Sequence, residues 1–310
     1  MSISSQKTID IAPASLGTPI APLLQADLRL LYPHRAKRLR ALMADHAMKD
    51  YLSFAADIVD AQNILLQNQP FKPDAAHEPL VVDWRTAPLS KRSYPRDSYW
   101  LAVLDALLNH LMTLPQYREG IIGQAIKRLR ETDAPTKEKA ANLLLAGDVT
   151  AAGSDGAPFY WAALSLYWAQ LARAYKLNTV EEPGVERHLC PVCGSEPVAS
   201  VITLGPPDGL RYLHCNLCET QWHYVRAQCS NCEQSGKVEY WALNDKDAAV
   251  KTESCADCHS HLKVIYQNKD LSLDPVADDL ASLALDALME EKGFDRSTIN
   301  PFLFPAPEQQ

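Results

Sequence analysis

The cysteines of this chain are spaced in a pattern that predicts metal binding. All eight lie in one stretch of the 310-residue sequence, where they form four C-x-x-C pairs. Two thiolates that are two residues apart on a tight turn can hold one side of a tetrahedral metal ion, and a second such turn completes the site. The pattern therefore predicts two four-cysteine sites. The candidate metal ligands are Cys190, Cys193, Cys215, Cys218, Cys229, Cys232, Cys255 and Cys258.

The spacing of the pairs indicates an internal duplication. The third pair lies 39 residues after the first, and the fourth lies 40 residues after the second. Pairing the first turn with the third would normally require a more compact, interleaved spacing, whereas a repeat favours sites that follow each other along the chain. We therefore predict one site from the cysteines within 190–218 and another from those within 229–258.

Other roles for C-x-x-C pairs fit this sequence less well. A thioredoxin-type redox pair requires a helix N-terminus that lowers the thiol pKa, whereas these pairs lie beside predicted turns and strands. Disulfide bonds are disfavoured in a reducing compartment. Because each site already has four cysteines, we expect the neighbouring His214 and His259 to support the ligands rather than to bind metal. Four sulfurs suit zinc and iron equally, so the ligand type does not choose between them.

The segments around the cysteines are predicted to be short strands that bring the turns together. The two pairs are separated by 21 residues in the first copy and by 22 in the second, which fits two strands and a turn. A further extended run follows the second pair of each copy. This is the layout of a rubredoxin-like zinc ribbon, used twice. The predicted strands cover 197–204, 210–214 and 221–226 in the first copy, and 238–243, 248–253 and 262–267 in the second.

The part of the chain that precedes the cysteines is predicted to be an α-helical bundle, because apolar residues recur there at helical spacing. Pro33 suits the first turn of a helix whose basic residues are expected on its outer face. Residues 159–175 are apolar on nearly every side, which predicts the central helix of the bundle. An aromatic surface for a partner is the alternative interpretation. Residues 1–25 lack a clear period and are predicted to be a flexible lead-in.

A last helix is predicted after the cysteines. Asp274 and Pro275 are typical of a helix start, and Gly293 is typical of a helix end. One face of this helix is acidic and is expected to lie in solvent, with contact to a basic partner as the alternative. The acidic residues are Asp278, Asp279, Asp286, Glu290 and Glu291.

These elements together predict a multi-domain fold of the α plus small β class. It consists of an N-terminal α-helical bundle, two tandem rubredoxin-like (zinc-ribbon-like) four-cysteine metal-binding domains and a C-terminal helix. The predicted units are 1–25, 26–185, 186–226, 227–270 and 271–310.

The charge distribution argues against nucleic acid as a partner. Residues 186–310 contain 19 acidic and 10 basic side chains, and thiolates at the metal sites would add further negative charge. A net-acidic metal module is a poor counterion for phosphate backbones. We therefore expect no nucleic-acid binding, although many zinc ribbons have that function.

The sequence shows neither the pattern of an export signal nor a catalytic motif. The N-terminus does not have the basic head, apolar run and cleavage site of a signal peptide, and the apolar stretch at 159–174 is too short and too polar to span a bilayer comfortably. We expect a cytoplasmic protein with no membrane insertion. The sequence has no G-x-S-x-G, P-loop, G-x-G-x-x-G or H-E-x-x-H match, so we expect no enzymatic activity.

The residues around the cysteines resemble a known family. CPVCGS at 190–195, LHCNLCETQW at 213–222, Arg226 and CSNC at 229–232 closely resemble the signature of the formate dehydrogenase accessory proteins of the FdhE type. The order of the parts agrees as well, since a helical half precedes a cysteine-rich half. The resemblance covers most of the chain, and its specific motifs lie between 189 and 258.

The resemblance implies a cytoplasmic accessory factor that bacteria need for active respiratory formate dehydrogenase. Such factors are thought to act on the molybdenum-containing catalytic subunit before its twin-arginine export. The resemblance also implies rubredoxin-type iron at the eight cysteines, with zinc as the alternative. It leaves homo-oligomerisation open. Two rival functions are a rubredoxin-like electron-transfer protein and a structural zinc-ribbon binding module.

The sequence departs from rubredoxin at the residue that follows each pair. Only Cys193 is followed by glycine, as in rubredoxin itself. Glu219, Glu233 and His259 take the equivalent places after the other three pairs. This departure weakens the expectation of a tuned redox centre and keeps structural zinc open.

Overall fold

The computed structural model describes residues 20–72, 80–179, 186–204, 209–243 and 245–304. Within them, a helical region is followed by a mostly β region and two short helices, which confirms the predicted fold class. Most of the predicted flexible lead-in lies outside the described residues. Its last residues form strand β1 (Leu23–Leu24), which pairs with the β region through Leu23 opposite Trp222.

The helical region contains seven α-helices among the described residues. Side-chain caps explain two of the starts, because Asp27 accepts a hydrogen bond from the amide of Arg29 and Asp133 from that of Thr136. Gly147 ends a helix with φ of +91°, a conformation that glycine adopts without strain. The helices are α1 (Leu28–Leu42), α2 (Lys49–Asn68), α3 (Tyr99–Thr113), α4 (Gly120–Glu131), α5 (Ala134–Ala146), α6 (Val149–Ala152) and α7 (Ala157–Ala174).

Helix α1 differs from its prediction in two respects. It begins five residues before Pro33, because Asp27 provides the cap. The expected outer face of basic residues is wrong for Arg35, whose side chain is buried with 2% exposure. A buried guanidinium requires charged partners, and it finds them in the cysteine-rich half of the chain.

Helix α7 lies at the centre of the bundle. Every residue from 157 to 172 is buried, and the helix packs on α2, α3 and α5. The predicted central helix is therefore confirmed, and its aromatic side chains do not form a surface for a partner. No helix within the described ranges has the length and apolar content that crossing a membrane requires.

The strands form two sheets. The small one pairs β2 (Leu80–Val82) with β3 (Leu177–Thr179) in parallel inside the helical region. The large one has the order β1-β6-β5-β4-β9-β8-β7, with β10 (Asp295–Arg296) beside β9. Its other strands are β4 (Pro197–Ile202), β5 (Arg211–Cys215), β6 (Gln221–His223), β7 (Val238–Trp241), β8 (Val250–Cys255) and β9 (Ser260–Tyr266).

The two predicted ribbons share this large sheet. Each contributes three antiparallel strands, and the parallel pair β4–β9 joins them with Ser200 opposite Val264. Strand β4 lies inside the sheet and is buried along its whole length, with helix α8 (Pro275–Leu280) packed against it. The spacing of the cysteines predicts each ribbon but contains no signal for this pairing.

The C-terminal helix is interrupted. It consists of α8 (Pro275–Leu280) and α9 (Leu283–Glu291), and the Asp274 cap accepts hydrogen bonds from two amides of the first turn. The expectation of a solvated acidic face is wrong for Asp278, Asp279 and Asp286, which are buried. Their partners are basic side chains of this same chain.

Candidate metal centres

The structure gathers the eight cysteines into two clusters, as the repeat predicts. In each cluster the four cysteine sulfurs all lie within 4.8 Å of one another. A tetrahedral ion with metal–sulfur bonds of about 2.3 Å places its sulfurs about 3.8 Å apart, so both donor sets fit such an ion. Sγ–Sγ distances between knuckles are 3.4 Å for Cys193–Cys215, 3.6 Å for Cys190–Cys218, 3.7 Å for Cys229–Cys258 and 3.7 Å for Cys232–Cys255.

We call the cluster of Cys190, Cys193, Cys215 and Cys218 site one. The cluster of Cys229, Cys232, Cys255 and Cys258 is site two. Each C-x-x-C turn is called a knuckle, and the four are numbered in chain order.

All four knuckles use the same backbone turn. The residue after the second cysteine has positive φ in every case: 70° at Gly194, 61° at Glu219, 62° at Glu233 and 54° at His259. This left-handed conformation costs a residue with a side chain about 1 kcal/mol or more relative to glycine. The three side chains that replace glycine must therefore contribute contacts of their own.

Glu219 makes such contacts between the second knuckle and the helical region. Its carboxylate accepts two hydrogen bonds from the Arg35 guanidinium, at 2.7 and 2.8 Å. Burial alone would raise the pKa of Glu219, but Arg35 and His214 outweigh it and hold this pKa at about 2. The Nε of Arg35 also donates a hydrogen bond of 3.0 Å to Asp274, the N-cap residue of α8. One buried guanidinium thus joins the bundle, site one and the C-terminal helices.

His214 supports the same knuckle without contacting a sulfur in the structure. Its Nε2 lies 2.7 Å from the Glu219 carboxylate, which can only accept, so this nitrogen carries the proton. Nδ1 then accepts from the side-chain amide of Gln221 at 3.0 Å. The histidine next to Cys215 is therefore a support for the knuckle, in agreement with the expectation for it.

Site one is enclosed by the helical region. The segment that leads to α3 pairs with the first knuckle, since the amides of Leu89 and Lys91 donate to the carbonyls of Val192 and Cys193 at 2.9 and 2.8 Å. The indole of Trp161 on α7 donates to the carbonyl of Asn216, inside the second knuckle. All four cysteines of site one are buried and belong to the same hydrophobic core as the bundle.

The surroundings of site one act unequally on its thiols. Burial raises the pKa of the Cys190 and Cys193 thiols well above their usual range. At Cys218, burial is outweighed by hydrogen bonds from the other three cysteines and Thr220, which hold the thiol pKa well below its usual range. Four adjacent thiolates in such a setting require a cation among them, which is what a structural metal supplies. The amides of Leu217 and Cys218 also point at the Cys215 sulfur, at 3.4 and 3.3 Å, as hydrogen bonds to a thiolate would.

Site two lies nearer to the surface. Cys229 and Cys255 are buried, whereas Cys232 and Cys258 are partly exposed. The His259 ring stacks on Phe294 at 6.1 Å between ring centroids. This contact replaces the ion-pair network that the equivalent Glu219 makes at site one.

The third knuckle, which belongs to site two, is held by two side-chain hydrogen bonds. Glu233 accepts a hydrogen bond from the backbone amide of Arg187, close to site one in sequence. The hydroxyl of Ser230 donates to Glu253 on β8 at 2.6 Å. Because Glu253 also accepts from Arg211 on β5, at 2.6 and 2.7 Å, an ion pair joins the first ribbon to the second.

A second buried ion cluster attaches the C-terminal helices to β9. The Lys263 ammonium lies 2.5 Å from a carboxylate oxygen of Asp286 and 3.4 Å from one of Asp279. Arg296 pairs with the same two carboxylates. Burial, with further contributions from Arg296 and Lys263, lowers the pKa of His261 to about 4.

Sequence reasoning named several residues beside the cysteines but missed the partners that hold them. Glu219 carried a signal, because a charged residue at a position of positive φ requires compensation. Arg35 carried none, since it lies 184 residues from Glu219 and its helical spacing resembles that of an ordinary surface arginine. The partnership of Arg211 with Glu253 was equally invisible, because it depends on the β4–β9 pairing.

Family models match almost all of this chain. "FdhE, N-terminal" matches residues 20–184, "FdhE, central domain" matches 189–226, and "FdhE, C-terminal domain" matches 227–303. The central-domain model begins at residue 189 and ends at residue 226, so it spans the first ribbon.

Individual relatives and a solved structure agree with the family models. The chain is 49% identical over 308 residues to a protein FdhE homolog of Edwardsiella ictaluri, covering 98% of each sequence. It is 47% identical to protein FdhE of Escherichia coli, covering 97% of this chain and 94% of that one. The crystal structure of the FdhE protein from Pseudomonas aeruginosa matches with a TM-score of 0.76 and 35% identity, over 91% of this chain and 98% of that one. Taken with the two four-cysteine clusters, these matches show that the chain belongs to the FdhE family.

Proposed function

We propose that this protein is an accessory factor for the maturation of respiratory formate dehydrogenase. It would bind the catalytic subunit of that enzyme in the cytoplasm and have no catalytic activity of its own. The observation that carries the proposal is the pair of four-cysteine clusters in a chain that belongs to the FdhE family along its whole length. Nucleic acid fits this chain poorly as a partner, because residues 186–310 contain 19 acidic and 10 basic side chains.

The eight cysteines are proposed to hold one metal ion per site. Iron is the proposed metal, because the family resemblance implies it. Zinc is the alternative, since both metals accept four thiolates in a tetrahedron. Iron bound there would be able to carry one electron, whereas zinc would only fix the knuckles. The chain's own contribution is to orient the thiolates, through backbone amides directed at sulfur and through the left-handed turn at each knuckle. The unit boundaries at 186 and 227 also remain a prediction.

The metal can be identified in the protein purified from its native host without reconstitution. We expect elemental analysis to give two metal ions per chain, and visible absorption bands of a ferric thiolate if the metal is iron. A colourless protein with two zinc ions would rule out an electron-transfer role and leave the accessory role intact. A protein without bound metal would contradict the assignment of both clusters.

The accessory role can be tested in a bacterial strain that lacks its own FdhE protein. Expression of this chain should restore formate dehydrogenase activity, and an affinity tag on it should capture the catalytic subunit. Arg29→Met is a suitable control variant, because that side chain is 82% exposed and forms its ion pair with the nearby Asp27. Failure of the wild-type chain both to restore activity and to capture the subunit would count against the proposal.

A further inference from the structure

The two sites differ in how far a reagent in solution can reach their sulfurs. At site one the four cysteines are between 0 and 3% exposed. At site two, Cys232 and Cys258 are partly exposed, and each belongs to a different knuckle. An electrophile that attacks thiolates therefore has access to one sulfur on each knuckle of site two.

Each exposed cysteine of site two has a buried partner across the site. The Cys232 sulfur lies 3.7 Å from that of Cys255, and the Cys258 sulfur lies 3.7 Å from that of Cys229. In both pairs the two cysteines belong to different knuckles. A reactive thiol beside a second thiol that can attack it is the arrangement found at redox-responsive cysteine sites.

We propose that site two is a peroxide-reactive site, at which Cys232 and Cys258 are oxidised first and form disulfides with Cys255 and Cys229. In the first step the exposed thiolate attacks hydrogen peroxide, the O–O bond breaks, and a sulfenic acid forms. The buried thiolate then attacks the sulfenic sulfur and expels hydroxide. Two thiolates lose two electrons in total, while one peroxide and two protons become two molecules of water.

Oxidation would change the metal content of site two alone. A disulfide removes two of the four thiolates, and the two that remain cannot complete a tetrahedral site. Site one has no exposed sulfur and should keep its ligands. The change would also affect contacts around site two, because Glu233 and Ser230 tie the third knuckle to Arg187 and Glu253. The inference rests on the proposed metal binding, which the native metal content tests separately.

The experiment uses the wild-type, metal-loaded, full-length protein. Hydrogen peroxide is added in steps, released metal is measured with a chromogenic chelator, and each cysteine is quantified by differential alkylation and mass spectrometry. We expect release to stop at one of two ions, with Cys232 and Cys258 at least tenfold more reactive than any cysteine of site one. Equal loss from both sites, or protection of site two, would overturn the proposal.

Peptide mapping of the wild-type, metal-loaded protein tests the pairing of the sulfurs. After limited peroxide treatment, cross-knuckle chemistry gives the Cys232–Cys255 and Cys229–Cys258 disulfides. Pairing within a knuckle would instead give Cys229–Cys232 and Cys255–Cys258. Disulfides within the knuckles would contradict the proposed pairing.

Discussion

Site one and site two have the same ligands and the same backbone turns, yet their surroundings are opposite. Site one is enclosed by α1, α7 and the segment before α3, and its cysteines are part of the core of the bundle. Site two lies beside the three strands of its own ribbon, contacts Arg187 and Phe294 outside it, and has two partly exposed cysteines. A duplicated unit has thus acquired two different environments, one shared with the helical region and one near the surface.

The difference is clearest at the residue that follows the last cysteine of each site. Glu219 and His259 are 40 positions apart, and both have positive φ. Glu219 is buried in a network with Arg35 and Asp274, whereas His259 stacks on one aromatic ring. The first arrangement couples site one to α1 and α8, whereas the second reaches one residue after α9. We therefore expect damage at site one to spread into the helical region, and damage at site two to affect mainly its own ribbon.

The largest effect is expected from removing one ligand of either site. Cys218→Ser and Cys258→Ser change equivalent positions, and each should lose only the metal of its own site. Metal binding contributes on the order of 10 kcal/mol to small cysteine sites, so each ribbon should open when its metal is lost. Cys218→Ser should also expose amides of α1 and α7 to hydrogen exchange, whereas Cys258→Ser should affect mainly residues 227–270.

Both variants carry the same Cys→Ser substitution, so a difference between them comes from the surroundings of each site. Metal analysis checks that one ion remains in each variant, and hydrogen exchange then locates the change. Loss of both ions from a single substitution would contradict the sequential sites. Equal exchange in α7 of the two variants would contradict the difference between them.

A smaller but still large effect is expected from Arg35→Met. The substitution retains an unbranched apolar stem but leaves the buried carboxylates of Glu219 and Asp274 without their guanidinium. Breaking a buried ion pair from one side costs about 3–5 kcal/mol. We expect a loss of that size in the free energy of unfolding, measured with denaturant. Arg29→Met, which removes an exposed pair, should lose less than about 1 kcal/mol, and equal losses would argue against the network.

The β9 side of the molecule should respond to pH through His261. Its pKa is lowered to about 4 in the fold, against 6.5 for an ordinary histidine, because it is buried near Arg296 and Lys263, with Asp279 and Glu290 opposing them. The unfolded chain therefore takes up the proton first, and stability falls as the pH drops below 6.5. The expected loss from this group is about 2 kcal/mol by pH 5. His261→Asn should remove this part of the pH dependence in denaturant titrations.

The sequence was sufficient to predict the knuckles, their grouping and the strands between them. Those features depend on spacing within about 30 residues, and C-x-x-C pairs have few alternative geometries. The bundle was also predictable from helical periodicity, including the burial of the stretch at 159–172. Local pattern and local structure agree wherever the stabilising contacts are close along the chain.

The assignments that failed depend on contacts between distant parts of the chain. Charged residues on helices are usually solvated, so the burial of Arg35 and Asp278 contradicts the ordinary interpretation of their patterns. Each is buried because the other half of the molecule provides its counter-charge. Spacing within the cysteine-rich half likewise predicts two ribbons without showing that β4 pairs with β9.

The smallest effect is expected at the left-handed position of the fourth knuckle. His259→Gly relieves a backbone conformation that costs about 1 kcal/mol or more for a residue with a side chain. It also removes a ring contact worth about 0.5–1.5 kcal/mol and gives the unfolded chain more freedom. These contributions nearly cancel, so the free energy of unfolding should change by less than about 1 kcal/mol, and site two should keep its metal.

The equivalent substitution at site one should behave differently. Glu219→Gly relieves the same strain but leaves the buried Arg35 with one carboxylate instead of two. We expect a loss of several kcal/mol from the unpaired buried charge. Denaturant unfolding of the two glycine variants side by side would therefore separate the contribution of the turn to the free energy of unfolding from the contribution of its surroundings. A similar response in both would mean that the turn, and not the network around Arg35, determines what each site contributes to stability.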